Sequence, residues 1–397
     1  MPFLADLLRD PDPPADASAV HWGGVVHTRG EISDAADRVA ATLQRMGTAP
    51  DSAVAAAVPP TPLGLVMLLG VWRAGAVAAP LDAADGPETF EALIGALRPA
   101  TVMRPSLDAA SLVPQISVHP GEPRRFDPDV AVVLTAPGPA GRLRSVQWTE
   151  TRMAAAIASA EATLRFRTGG LLTLPLASPA GLDVSLVALA AGGSVELLEP
   201  VEPAALADAI RRHRVEAVTL TPDQLDALVD DAGVATIEPL RYVRCVEGTV
   251  SEEHVRRARA RFGVVVLGAY GRPELGGEVV GWGVGEAAVD GDLKPGSVGR
   301  PYAGVEVRVQ RADRSPAAPG EVGEVWVRSP FAMHGYASDR VEPDYRVDGD
   351  GFVTGIDFDL FVTAFEAGDS AADFDGDGFI TGIDYDLYVA AYEAGCP

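Results

Sequence analysis

The residues best suited to chemistry lie near the end of the chain. Asp373, Asp375 and Asp377 alternate with other residues, Gly378 follows, and Phe379, Thr381 and Asp384 complete the run. A calcium ion asks a short loop for oxygen ligands at positions 1, 3, 5, 7, 9 and 12, with Gly at 6 for the sharp turn. The side chains of Asp373, Asp375, Asp377, Thr381 and Asp384 and the carbonyl of Phe379 fall at those places. The segment is written twice, offset by 27 residues, and Asp348–Gly368 matches its copy at 16 of 21 positions. The first copy offers Asp348, Asp350, Phe352, Thr354 and Asp357, but Arg346 occupies its first ligand position. A cation there removes a ligand and repels the ion. The spacing therefore predicts one full Ca2+ site and one weakened site.

Such loops need helices to hold them. Each copy runs into an aromatic series at helical spacing, Phe358, Phe361 and Phe365 in one and Tyr385, Tyr388 and Tyr392 in the other. Two halves of this size bury a core only together. From Val341 onward the chain carries 14 acidic residues and a single Arg. A block of like charge repels itself unless cations neutralise it. We assign residues 340–397 to this repeat pair.

The whole chain has 397 residues and a formal charge of −24, which argues against nucleic acid or an anionic membrane as partner. Its apolar runs, such as Leu63–Leu69, are too short to span a bilayer. Two cysteines suggest neither a disulfide framework nor a zinc cluster. The six histidines show no ligand spacing and are expected on the surface or in loops. The first residues lack a basic start followed by a long apolar run, so the expected location is the cytoplasm. A signal sequence upstream would make it extracellular.

Between these features lies an α/β rhythm. Residues 1–20, rich in Pro, Asp and Ala, read as a loose arm. A helix is expected from Ile32 to Met46, capped by Ser33 or Asp34. Strand and helix then alternate from Ala53–Val58 and Leu63–Ala74 through to Ser251–Phe262 and Val264–Leu267, the pattern of a layered, mostly parallel sheet. After Gly281 short strands split by Gly/Pro turns replace it. The expected layout is an α/β domain over 21–339, with a β-rich subdomain at about 282–339.

Three stretches give that domain a likeness. Trp72-Arg-Ala-Gly-Ala-Val-Ala-Ala-Pro-Leu-Asp82, Gly296-Ser-Val-Gly-Arg-Pro301, and Pro319-Gly-Glu-Val-Gly-Glu-Val-Trp-Val-Arg328 through Tyr336 resemble motifs of the adenylate-forming superfamily, in order and spacing. The likeness covers roughly residues 20–337. It implies a site for ATP and Mg2+ in which a carboxylic acid is activated as its adenylate. The phosphate-binding loop of that superfamily corresponds to Thr135–Ser145. Thr135 keeps a hydroxyl, Pro137 and Pro139 lack N–H donors, and Arg144 stands where the family has lysine. The adenine- and metal-binding motif corresponds to Tyr270, Gly271, Arg272, Pro273 and Glu274, with Pro273 in place of threonine. The aromatic or His position of the acyl pocket falls at Ser178. The family's ribose-binding Asp and catalytic lysine have no counterpart; Lys294, the one lysine of the chain, reads as a surface residue.

Two functions are thus expected in turn. The first is a degenerate, non-catalytic AMP-binding-like protein that works through its tail. The alternative is an ATP-dependent carboxylic acid ligase with a reduced active site, working alone or complemented in trans. The tail itself resembles a dockerin, a tandem EF-hand-type calcium module, because its loops end in Asp and are each followed by one helix. That resemblance implies a cohesin-like protein partner.

Overall fold

The computed structural model describes residues 3–9, 12–82, 90–91, 94–95, 97–137, 143–164, 170–198, 201–283, 286, 296–311 and 314–337. The Ca2+-ligand candidates of both repeats, the tail helices and Lys294 lie outside the described residues.

The chain divides into two units. The first comprises Met1–Leu134, Gln147–Val305 and Ser329–Gly335. Its largest sheet has a parallel centre in which Ala53–Val58 pairs with Val77–Asp82 on one side and Thr101–Arg104 on the other. All six residues of Ala53–Val58 are buried. The helix Pro62–Arg73 packs closely against the helix Arg29–Arg45 because it carries glycine where the two touch. A Cβ on Gly70 would lie 2.5 Å from Val39 of the helix Arg29–Arg45.

A second, five-stranded sheet runs Ala217–Leu220, Tyr242–Cys245, Val265–Arg272, Gly277–Gly281, Arg300–Pro301. Its first three strands are parallel and the last two antiparallel. Helices Pro203–His213, Pro222–Asp230 and Glu252–Phe262 bury Leu206, Ile210, Leu225, Leu228 and Ala258 in one core with Val218, Val243 and Val266. A third sheet orders Val25–Thr28, Ser18–Trp22, Val195–Leu197 and Gly170–Leu172. The expected α/β class holds, with mixed rather than purely parallel sheets.

Two expectations near the start are corrected. Residues Phe3–Asp6 form a short helix whose Leu4 is 1% exposed, and the Leu4 N–H donates to Glu150 Oε1 at 2.7 Å. The apolar Leu4, Leu7 and Leu8 outweigh the surrounding Pro/Asp composition, and Ser18–Trp22 is a strand. The next helix begins at Arg29, not Ile32. Thr28 caps it in a reciprocal box with Glu31, at 2.9 and 3.2 Å. A box satisfies two orphan N–H groups at once and so outcompetes Ser33 or Asp34.

The second unit comprises Thr135–Val146, Glu306–Arg328 and, among its remaining described residues, Tyr336 and Ala337. It contains the antiparallel hairpin Glu306–Gln310 with Glu324–Arg328. Arg311 and Glu321 pair at 2.6 Å, and the Arg314 guanidinium lies 5.5 Å from the centre of the Trp326 ring. Among the described residues no helix is long and apolar enough to cross a membrane.

Candidate functional site

Tyr270, Gly271 and Glu274 are brought together by one strand and one turn. The strand Val265–Arg272 ends in a single 3-10 turn, Pro273–Leu275, and the chain returns as Gly277–Gly281. Gly271 is required by the return strand, since a Cβ there would lie 2.3 Å from the Gly277 carbonyl oxygen. Gly276 has φ +84°, and a Cβ would lie 2.0 Å from the Phe331 oxygen. Pro273 takes the first position of the turn, where a missing N–H costs nothing and a fixed φ helps. The substitution that removes a hydroxyl from the motif is thus compatible with its backbone.

Neighbours hold the turn from outside. Trp148 Nε1 donates to the Pro273 carbonyl at 2.7 Å, Met333 N–H donates to the Glu274 carbonyl at 2.8 Å, and Ser329 Oγ donates to the Leu275 carbonyl at 3.0 Å. Arg152 in turn donates to the carbonyls of Ala332 and Met333. These bonds fix main-chain groups of the turn. The Glu274 carboxylate is 15% exposed, with Arg272 Nε 3.7 Å away. A carboxylate oxygen in a mostly buried position suits a hard divalent ion, and the half-buried Tyr270 ring suits stacking against a planar base.

Three charged residues missed by the sequence reading sit behind this turn. Asp183 lies on the helix Pro179–Ala190, and a Cβ on Gly277 would come within 2.7 Å of its Oδ2. Arg244 of Tyr242–Cys245 donates to Glu278 of the return strand. Burial pushes the Asp183 carboxyl up to about 7; Arg244 pulls it down and Glu278 raises it further. Burial also raises Glu278, against the opposing pull of Arg244. A lone acid in the apolar run Gly181-Leu-Asp-Val-Ser-Leu186 was the available signal. Ser178, the expected acyl-pocket position, caps that helix, accepting from the Gly181 N–H at 3.0 Å.

Thr135 and Arg144 belong to the second unit. Thr135 is half-buried near the end of the strand Val130–Pro137, and residues 138–142 of the expected phosphate loop lie outside the described residues. Arg144, on Leu143–Thr149, is 5% exposed. Its guanidinium donates to Tyr336 Oη at 3.3 Å and lies 5.2 Å from the ring centre. The Ala337 N–H donates to the Ser145 carbonyl at 2.7 Å.

Comparison with known proteins places this geometry. A family described as "AMP-binding enzyme" matches residues 9–337. A 4-coumarate–CoA ligase-like protein of Arabidopsis thaliana is 27% identical over 246 residues, covering 60% of this chain and 43% of its own. A feruloyl-CoA synthase of an Amycolatopsis species is 29% identical over 380 residues, 86% of this chain and 75% of its own. The chain thus spans less than half the length of the first relative and three quarters of the second. ATP-bound MatB of Rhodopseudomonas palustris superposes with a TM-score of 0.75 over 88% of this chain and 74% of its own. At 22% identity that likeness speaks for the fold alone.

Proposed function

The chain belongs to the AMP-binding enzyme family, and from that membership we propose that it serves as the adenylate-forming part of an ATP-dependent carboxylic acid ligase. The observation that carries the proposal is the Tyr270–Glu274 turn. Its ring and carboxylate are kept, and neighbouring side chains and main-chain groups hold its shape. In the proposed reaction a carboxylate oxygen attacks the α-phosphorus of ATP. The new P–O bond forms the acyl-adenylate, and the α-phosphorus–oxygen bond to pyrophosphate breaks. Tyr270 would stack on adenine and Glu274 would hold Mg2+, which supplies neutralisation of phosphate charge when bound. CoA-ligase relatives favour this reading over the non-catalytic one expected first. ATP–pyrophosphate exchange against a panel of acids, beginning with 4-coumarate and ferulate, tests it. Exchange with at least one acid, lost in Glu274→Ala, is expected; exchange that survives Glu274→Ala would remove the site from the account.

A second reading has its own support in Arg144. A lysine would meet phosphate as a mobile point charge, whereas this guanidinium is buried on Tyr336. In that reading the chain binds a nucleotide or acyl group without turnover. For residues 340–397 the proposal remains a calcium module, resting on the ligand spacing of Asp373–Asp384. Calcium titration of the full chain should show one strong site that Asp375→Ala abolishes; no heat of binding at millimolar Ca2+ would end that proposal.

A further inference from the structure

The histidines of this chain have no ligand spacing along the sequence, yet two of them meet in the fold. His21 lies on Ser18–Trp22 and pairs in parallel register with Glu196 of Val195–Leu197. Residues paired across a sheet send their side chains to the same face. His213 closes the helix Pro203–His213, and Arg214, with φ +50°, turns the chain away after it. His213 Nε2 lies 3.1 Å from Glu196 Oε2, and His21 Nδ1 lies 3.9 Å from the same oxygen. One ligand atom from each of the three falls within 4.8 Å of the others. The imidazoles approach edge to face, their centres 5.2 Å apart.

We propose that His21, Glu196 and His213 form a three-ligand site for a divalent transition cation of the zinc class. Around one tetrahedral ion with bonds of about 2.0–2.2 Å, ligand atoms stand about 3.3 Å apart; Glu196 and His213, at 3.1 Å, have that spacing, and His21, at 3.9 Å from Glu196, closes to it with a small side-chain rotation. Glu196 Oε2 and His213 Nε2 are buried and lack any hydrogen-bond partner. They approach closely without the alignment of a hydrogen bond, as two donors aimed at a shared third atom do. Imidazole with one carboxylate suits zinc-class ions and not calcium or magnesium. The helix C-terminus adds a negative potential that favours a cation. The three side chains are 23%, 11% and 28% exposed, so an ion can enter and a water can complete its coordination. Such an ion would tie two strands of the third sheet to the end of a helix.

The test uses the full chain, stripped with chelator and kept in millimolar Ca2+ and Mg2+ so that carboxylate-only sites are filled. Zn2+ is titrated by calorimetry and Co2+ by its visible absorption. The expected result is one equivalent of Zn2+, a Co2+ spectrum of low coordination number and a raised melting temperature. His21→Gln and His213→Gln, both at partly exposed positions, should weaken Zn2+ by more than about tenfold and bleach the Co2+ bands, with circular dichroism unchanged. Zn2+ affinity and Co2+ spectrum that are the same in wild type and both variants would overturn the proposal. So would an absence of binding to the wild type, which would leave the cluster a His–Glu ion pair.

Discussion

The Tyr270–Glu274 turn and the Thr135–Ser145 segment, each expected from the family resemblance to handle nucleotide, differ in what defines them. In the turn the positions that matter most to shape are glycines, a proline and carbonyls, and each is satisfied by a neighbour. Its functional groups, one ring and one carboxylate, remain. In Thr135–Ser145 the expected function rests on side-chain identity, and there Arg144, where the resemblance expects lysine, is buried on Tyr336. Backbone-defined parts of a site survive substitution because the fold itself depends on them. Side-chain-defined parts lack that protection. The ligase proposal leans on the first region and the non-catalytic reading on the second.

Substitutions can break or sharpen this contrast. The largest effect is expected from Gly276→Ala, which places a Cβ against the Phe331 carbonyl in left-handed backbone. Stability to urea should fall by about 3 kcal/mol or more, and nucleotide binding should go with it. A loss under about 1 kcal/mol would show that the turn is not held as described.

Next comes Asp183, behind the same turn. Its folded-state pKa of about 7 exceeds the ordinary 3.8, so the folded protein holds the proton more tightly than the unfolded chain. This group therefore costs nothing below about pH 4, and its cost grows as pH rises through 7 and then levels off. Asp183→Asn should flatten that decline, so that the variant gains on the wild type between pH 4 and pH 8. Melting curves that stay parallel across this range would contradict the assignment.

The smallest effect is expected in the second region. Arg144→Lys loses the planar stack on Tyr336, and stability should drop by about 0.5–1 kcal/mol. If the arginine is only a packing residue, pyrophosphate exchange should change by less than it does in Glu274→Ala. A larger loss would make Arg144 part of the working site and bring the two regions level.

Much of the fold was legible because it depends on local patterns. The buried strand Ala53–Val58, the apolar helix at Pro62–Arg73 and the glycines that end helices at Gly47, Gly75 and Gly263 are written in composition and spacing. The Tyr270–Glu274 turn was found because its residues are consecutive. What escaped depends on distance along the chain. Leu4 is buried near a carboxylate 146 residues away. His21, Glu196 and His213 meet through strand register and a helix end. Asp183 looked like one polar residue in a helix until its neighbours across the sheet made it a buried acid beside a charged pair. The tail repeats are the reverse case: their carboxylate spacing is plain in the sequence, and they lie outside the described residues.

The most direct test of the account is single-turnover detection of the adenylate. The full chain is mixed with ATP, Mg2+ and each acid of the panel, quenched, and analysed by mass spectrometry for acyl-AMP and pyrophosphate. The account predicts acyl-AMP in amounts comparable to the protein with at least one acid, and none with Glu274→Ala. Nucleotide binding without adenylate for any acid in the panel would contradict it and leave the non-catalytic reading in its place.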